Sequence, residues 1–212
     1  VTIKLEKIEA SNLACERGGR IVFRDLNFSL RRGGALALEG ANGAGKTSAL
    51  RIVAGLLGPS AGEISFHADG QKISDGEERG RFAAWLGHLD GIKNQMTVRE
   101  NAEFFAALYS SADDIDAILA RVGLARAVQL PAQYLSAGQR RRLALARLVL
   151  SNRPLWLLDE PLAALDSAGK ALVAELMSEH CSAGGMVLAA THDPLGIDSG
   201  RLNIGAAVSA TT

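Results

Sequence analysis

No stretch of this 212-residue chain comes near the ~18 consecutive apolar residues that a membrane-spanning helix needs, and no signal peptide is visible. Any work done at a membrane is therefore expected to pass through a partner. Excess charge is missing too. Lys and Arg total 23, Asp and Glu total 23, and the formal net charge is zero. Nothing gathers into the clustered basic surface that nucleic-acid binding requires, so no nucleic-acid partner is expected. The two cysteines, Cys15 and Cys181, lie far apart and without metal-site spacing, which leaves reduced thiols as the expectation. Repeats, heptads and low-complexity linkers are absent as well, which argues against coiled-coil and multi-domain organisation. What remains is a length suited to one large α/β domain, residues 1–212, with a small subdomain.

Against that plain background one segment stands out. Gly40-Ala41-Asn42-Gly43-Ala44-Gly45-Lys46-Thr47 matches G-x-x-x-x-G-K-[ST], and Ser48 continues into a helix-like run to Ala54. An apolar run, Ala35 to Leu38, precedes it. Strand, loop and helix in that order make a P-loop. Glycines let backbone N–H groups curl around a phosphate, and the helix N-terminus adds positive potential. Lys46 reaches the β/γ-phosphates and the Thr47 hydroxyl holds Mg²⁺. A simple glycine turn needs neither the Lys nor the Thr, so the segment predicts binding of a nucleoside triphosphate such as ATP.

Two further patterns narrow the chemistry. Leu135-Ser136-Ala137-Gly138-Gln139 opens a basic amphipathic run from Arg140 to Leu148. Ser136-x-x-Gln139 reads as a capping box, and the N–H groups and hydroxyl of such a cap also form an anion site. Leu155-Trp156-Leu157-Leu158-Asp159 is a continuous apolar run ending in a carboxylate, as in a buried parallel strand. Asp159 fits the Walker B role of holding Mg²⁺ with Thr47.

With these residues the chain resembles the ABC ATPase family, whose LSGGQ signature it varies by one residue. The resemblance implies an ABC α/β core of the P-loop NTPase class, with an antiparallel β subdomain and an α-helical subdomain over about 92–152. It implies that Leu135 to Gln139 cover the γ-phosphate bound to a second subunit, so that a head-to-tail homodimer makes two complete sites. It also gives Glu160 the role of polarising the attacking water. Ala164-Leu165-Asp166 matches the D-loop, with Asp166 crossing the dimer interface. His192, after the apolar run Met186 to Ala190, matches the switch histidine that contacts the γ-phosphate.

Elsewhere the pattern predicts antiparallel strands at Ile3–Leu13 and Ile21–Leu30 joined by a Glu16–Arg20 turn, and strands at Gly62–Phe66 and Phe82–Leu86. Asp69–Gly80 reads as a polar surface loop. Helices are predicted at Thr97–Ser110, Asp113–Val122 and Ser167–Cys181, and the tail after Ile204 carries no signal.

Two departures from the family are informative. Most members stack adenine on an aromatic side chain about twenty-three residues before the first P-loop glycine, and here that position is Arg17. A planar guanidinium can stack on the base. The family also places a Gln about nine residues before a T-V-x-E-N stretch. Thr97-Val98-Arg99-Glu100-Asn101 is present, but the Q-loop position holds His88.

Together with the Leu-Trp-Leu-Leu-Asp-Glu-Pro strand and the arginines after LSAGQ, these features resemble the branch that serves cytochrome c maturation, often called the haem exporter. That resemblance implies an integral membrane partner of the CcmB type and other cytochrome c maturation proteins. It implies a peripheral position on the cytoplasmic face of the bacterial inner membrane, and ATP hydrolysis coupled to haem export or to release of a haem chaperone. A soluble, non-transport ABC ATPase acting as an assembly adaptor is the alternative. A small-molecule phosphotransferase would leave LSAGQ and the D-loop unexplained.

A neutral imidazole at His88 replaces the Gln carbonyl as acceptor and titrates near neutrality. ATPase activity is expected to fall as pH drops through about 6.5, and His88→Gln to remove that acid limb. A pH–rate profile of both proteins checks this, and an identical limb in the two breaks the link.

Overall fold

Three short runs that are buried on both faces organise the chain, whose structure, a computed structural model, describes residues 4–87 and 90–205. They are β3 (Ala35–Glu39), β7 (Leu155–Asp159) and β8 (Met186–Ala190). With β6 (Ala83–Leu86) and β9 (Gly200–Asn203) they form a parallel sheet in the order β6-β7-β8-β3-β9. Side chains alternate along a strand, so each run feeds two cores. Leu36, Leu38, Leu155, Leu157, Met186 and Leu188 enter one; Ala37, Trp156, Leu158, Val187 and Ala189 enter the other.

The first core is closed by α1 (Lys46–Val53) and by a second, antiparallel sheet in the order β2-β1-β4-β5. Its strands are β1 (Leu5–Arg17), β2 (Arg20–Arg31), β4 (Ala61–Ala68) and β5 (Gln71–Ile73). The predicted hairpin is present, with a tighter turn than expected. Arg17 pairs with Arg20, and Gly18 and Gly19 both take positive φ, as a two-residue hairpin loop requires.

Helices close the second core. These are α3 (Val98–Tyr109), α4 (Ile115–Arg121), α5 (Ala137–Leu150) and α6 (Ser167–Ser182), each near its predicted place. Thr97 and Glu100 form a reciprocal capping box on α3, and Asp114 caps α4.

The segment read as a surface loop, Asp69–Gly80, is a correction. It carries β5 and a short helix, α2 (Gly76–Gly80), capped by Asp75, whose side chain accepts from Glu78 N–H. From it the buried Arg79 donates to the carbonyls of Ile52 (2.9 Å) and Val53 (3.3 Å) at the C-terminus of α1. A cation there satisfies orphan carbonyls and suits the helix dipole. Glycines and charges hid this helix, because it is too short to show a period. β9 was missed for the same reason: Gly-Arg-Leu-Asn has no alternation, and its pairing with β3 is what makes it a strand.

His180, near the C-terminus of α6, stacks flat on Trp156 of β7, with ring centroids 4.0 Å apart and planes 8° from parallel. Its Nε2 has no hydrogen-bond partner and faces Gly185, where a Cβ would lie 2.2 Å away. Burial pushes its pKa down to about 4. In the unfolded chain the imidazole titrates near 6.5, so between these values the unfolded state binds the extra proton. The stability His180 confers is complete above pH 6.5 and is lost as pH falls towards 4. Between pH 7 and pH 5 the protein is expected to lose about 2 kcal/mol by this route. His180→Phe, which keeps the stack, is expected to remove that loss. Urea melts at the two pH values check it, and equal losses in both proteins count against it.

Candidate active site

Because β3, β7 and β8 are parallel neighbours, their C-terminal ends deliver three loops to one edge of the sheet. Brought together there are the P-loop after Glu39, the acids at the end of β7, and Thr191 and His192 after β8. The P-loop backbone is fixed by packing. Gly45 caps α1 at φ 101°, where a Cβ would sit 2.5 Å from Val22 Cγ1 and 2.8 Å from Phe23 Cδ1. Gly40, at φ 148°, passes so close to Ile204 O that a Cβ would lie 2.4 Å away. Only glycine meets both conditions at either position.

Lys46 opens α1 and is 8% exposed. Its Nζ donates to Gly40 O at 2.8 Å and lies 2.9 Å from His192 Nε2. That ring nitrogen also stands 2.8 Å from Asn42 Oδ1 and 3.6 Å from Glu160 Oε1. Thr47 Oγ1 donates to Asp159 Oδ2 at 2.9 Å, joining the P-loop helix to β7. Asp159 is itself buried.

A cleft of about 450 Å³ runs over these residues, lined by Ala41 to Gly43, Gly45 to Ser48, Asp159, Glu160, Val22 and Arg17. Arg17, found by counting back along the sequence, is thus in the cleft wall. Ala44 lies inside the loop and donates its N–H to Ala41 O at 3.1 Å.

None of Leu135 to Gln139 lines this cleft. Ser136 caps α5 as the sequence predicted: its Oγ accepts from Gln139 N–H at 3.2 Å while Gln139 Oε1 accepts from Ser136 N–H at 2.9 Å. Ala137 starts the helix and Leu135 is buried behind it. Asp166 caps α6, accepting from Gly169 N–H at 2.7 Å, and Ala164 before it is left-handed at φ 61°. A Cβ on Gly138 would lie 3.7 Å from Ala164 O, so the signature and D-loop segments abut within one chain. His88 lies outside the described residues.

One residue that sequence reasoning passed over belongs here. Arg141 was read with the basic face of α5, yet it is 5% exposed. Its guanidinium reaches Gly87 O and Asp90 on one side and the carbonyls of Asp159, Glu160 and Pro161 on the other. Glu160 between them is left-handed at φ 49°, a conformation that costs a non-glycine residue about 1–2 kcal/mol. The signal available was three successive arginines on a helix that also carries a long apolar face, so that one of the three had to turn inward.

Magnesium suits the Thr47–Asp159 pair. A hydroxyl and a carboxylate oxygen are hard donors of the kind Mg²⁺ takes. Among the described residues no group of three or more His, Cys, Asp and Glu could hold a metal ion.

Fold and site together define a P-loop ATPase of the ABC type. The profile of the ABC transporter family matches residues 23–163. The chain is 50% identical over 202 residues, 95% of its own length and 99% of the relative's, to the cytochrome c biogenesis ATP-binding export protein CcmA of Rhodopseudomonas palustris (strain HaA2). It is 46% identical to the protein of the same name from Bradyrhizobium diazoefficiens, over 94% of this chain and 98% of that one. Among solved structures, a putative ABC transporter ATP-binding protein from Pyrococcus furiosus has the same fold, with TM-score 0.81 at 23% identity over 93% of this chain and 97% of that one. A dimeric ATP-binding cassette in a post-hydrolysis state bound to ADP and Pi matches with TM-score 0.73 at 25% identity, covering 88% of each chain. The chain belongs to the ABC transporter family, in the group of its cytochrome c biogenesis ATP-binding export proteins, CcmA.

Proposed function

We propose that this chain is the ATP-hydrolysing subunit of an ABC transporter-type complex in c-type cytochrome biogenesis, and that it works as a head-to-tail homodimer. The observation that carries the dimer is the separation of two half-sites. Lys46, Thr47, Asp159 and Glu160 line one cleft, and His192 stands beside Lys46 and Glu160, while the capped N-terminus of α5 neither lines that cleft nor bonds to any of them. A helix N-terminus with free N–H groups and a serine hydroxyl is an anion site without an anion of its own. A second copy supplies one.

In this reading residues 1–212 form one ABC ATP-binding domain with a helical subdomain over about 92–152. Gly40 to Ser48 wrap the phosphates and Arg17 stacks on the adenine. Thr47 and Asp159 hold Mg²⁺, which neutralises charge on the phosphate oxygens. Lys46 exchanges Gly40 O and His192 for the nucleotide. One imidazole nitrogen cannot accept from Lys46 and donate to an oxygen at once. Withdrawal of Lys46 therefore frees His192 Nε2 to donate to the γ-phosphate. Glu160 accepts a proton from the attacking water. Asp166 lies at the dimer interface, and Leu135 to Gln139 close over the partner's nucleotide. The membrane subunit docks near the loop that carries His88.

The names of the curated relatives, export proteins in cytochrome c biogenesis, support the transport reading over a soluble adaptor. No helix among the described residues is long and apolar enough to cross a membrane. The export named for those relatives calls for an integral membrane subunit, in this reading of the CcmB type. The chain then sits peripherally on the cytoplasmic face of the inner membrane. Closure of the dimer on ATP and its reopening after hydrolysis drive haem export or release of a haem chaperone.

Glu160→Gln is expected to bind ATP while hydrolysing it at least about a hundredfold more slowly, since general-base help is worth about 10²–10⁴. Near-normal phosphate release in that variant ends the assignment. With ATP and Glu160→Gln as bait, detergent-solubilised membranes are expected to yield cytochrome c maturation membrane subunits. Recovery of another transporter's subunit keeps the ATPase and overturns the haem role.

Arg17→Ala is expected to weaken ATP binding about two- to thirtyfold, read by nucleotide titration. An unchanged affinity removes the stacking role.

A further inference from the structure

We infer that Arg141 is the positioning residue for Glu160, and that it locks the exit of β7 to the exit of β6 through a single guanidinium. The inference rests on the general-base role proposed for Glu160 and goes beyond it, to what holds that carboxylate in place.

A guanidinium has five N–H donors in one plane, and every one of them is used. Nη1 donates to Gly87 O at 2.8 Å and to Asp90 Oδ1 at 3.2 Å. Nη2 donates to Glu160 O at 2.7 Å and to Asp159 O at 3.3 Å, and Nε reaches Pro161 O at 3.4 Å. The group is buried, its side chain 6% exposed against 17% for Asp90. Such a set is more than a way of burying a charge. The two shortest bonds go to different loops: Gly87 follows β6, and Glu160 follows β7.

Glu160 is where that grip matters. Asp159 is the last residue of β7 and Glu160 turns left-handed immediately after it. Its own N–H still reaches across to Ala190 O at 2.9 Å, as though the strand continued, and its carbonyl takes both Ala163 N–H at 3.2 Å and Arg141 Nη2. The peptide on the C-terminal side of the left-handed residue is therefore fixed by the arginine, and with it the direction of the Glu160 side chain. Lysine cannot reproduce this, because a point ammonium with three donors does not span two loops in one plane.

Arg141 also sits on the helix that begins at Ser136. The same rigid element carries the anion site offered to the partner and the side chain that orients this chain's own Glu160. Asp90, two residues before Ile92 and close to the start of the helical region, ties the loop after β6 into the same lock.

The test is a double-mutant cycle of Arg141→Lys with Glu160→Gln, reading steady-state phosphate release, ATP affinity by titration, and melting temperature. Arg141→Lys is expected to lower kcat about ten- to a hundredfold, as a misplaced catalytic group does, with ATP affinity changed by less than about threefold. In the Glu160→Gln background the same substitution is expected to cost nothing further, because the group it positions has gone. Multiplicative losses, or an unchanged kcat in folded Arg141→Lys, overturn the inference. Near-normal turnover in Glu160→Gln alone takes down the general-base reading itself and this inference with it.

Should Arg141→Lys fail to fold, Asp90→Asn is read in the same cycle. It leaves the guanidinium in place and loosens one anchor. The expectation is a kcat loss of about threefold that vanishes in the Glu160→Gln background, and a loss that persists there overturns the inference.

Discussion

Three parallel strands ending level with one another are the constraint on which the chemistry depends. Leu38 and Asp159 both stand beside Ala190 in register, so the P-loop, the β7 acids and the segment from Thr191 leave the sheet side by side. A strand's faces alternate with strict period two, and a slip of one residue would exchange them. Asp159 shares parity with Leu155 and Leu157, which face the core beneath α1, and that is why its carboxylate meets Thr47. Glu160 lies just past the strand, left-handed at φ 49°, and its carboxylate stands 3.6 Å from His192 in the wall of the same cleft. Two adjacent acids thus meet different neighbours, Asp159 by the pleat of β7 and Glu160 by the left-handed turn that ends it.

The same strands explain what was legible in the sequence. Leu155 to Asp159 and Met186 to Ala190 are apolar without a break because both faces are covered, and a continuous run of five followed by a carboxylate reads plainly. Gly40 to Thr47 reads plainly because several backbone positions there admit no side chain, as the approaches of Val22 to Gly45 and Ile204 to Gly40 show. The capping boxes at Thr97 and Ser136 are local, so their residues announce them. What escaped reading depends on partners distant in sequence. β9 exists because β3 offers an edge, and α2 because Arg79 finds the end of α1. Three successive arginines announce only that one turns inward; what Arg141 binds is not legible, since its carbonyl partners lie up to 54 residues away.

Lys46 shows how a cleft stays ready for an anion. A buried ammonium needs acceptors, and Lys46 finds the carbonyls of Gly40 and Ala41 and one imidazole nitrogen. None of these offsets its charge as a phosphate would. Nearby, the Thr47–Asp159 hydrogen bond keeps two hard oxygens together, and the carboxylates of Asp159 and Glu160 stand beside the lysine's cleft. The site therefore holds charges of both signs close together without letting the lysine neutralise the acids. The phosphates of ATP answer the lysine, and the paired oxygens of Thr47 and Asp159 are of the kind a hard cation takes.

The signature helix extends that logic from one chain to two. Ser136 and Gln139 satisfy each other at the helix start, so the cap is stable alone and still leaves N–H groups facing outward. Five residues on, within one and a half turns at about 1.5 Å rise per residue, Arg141 grips the carbonyl of Glu160. A helix this short transmits displacement as a rigid rod. Any displacement of Ser136 is therefore shared by the guanidinium, and through it by the left-handed residue after β7. The capped helix start at Ser136 and the guanidinium that grips the carbonyl of Glu160 are thus two ends of the same two turns of helix.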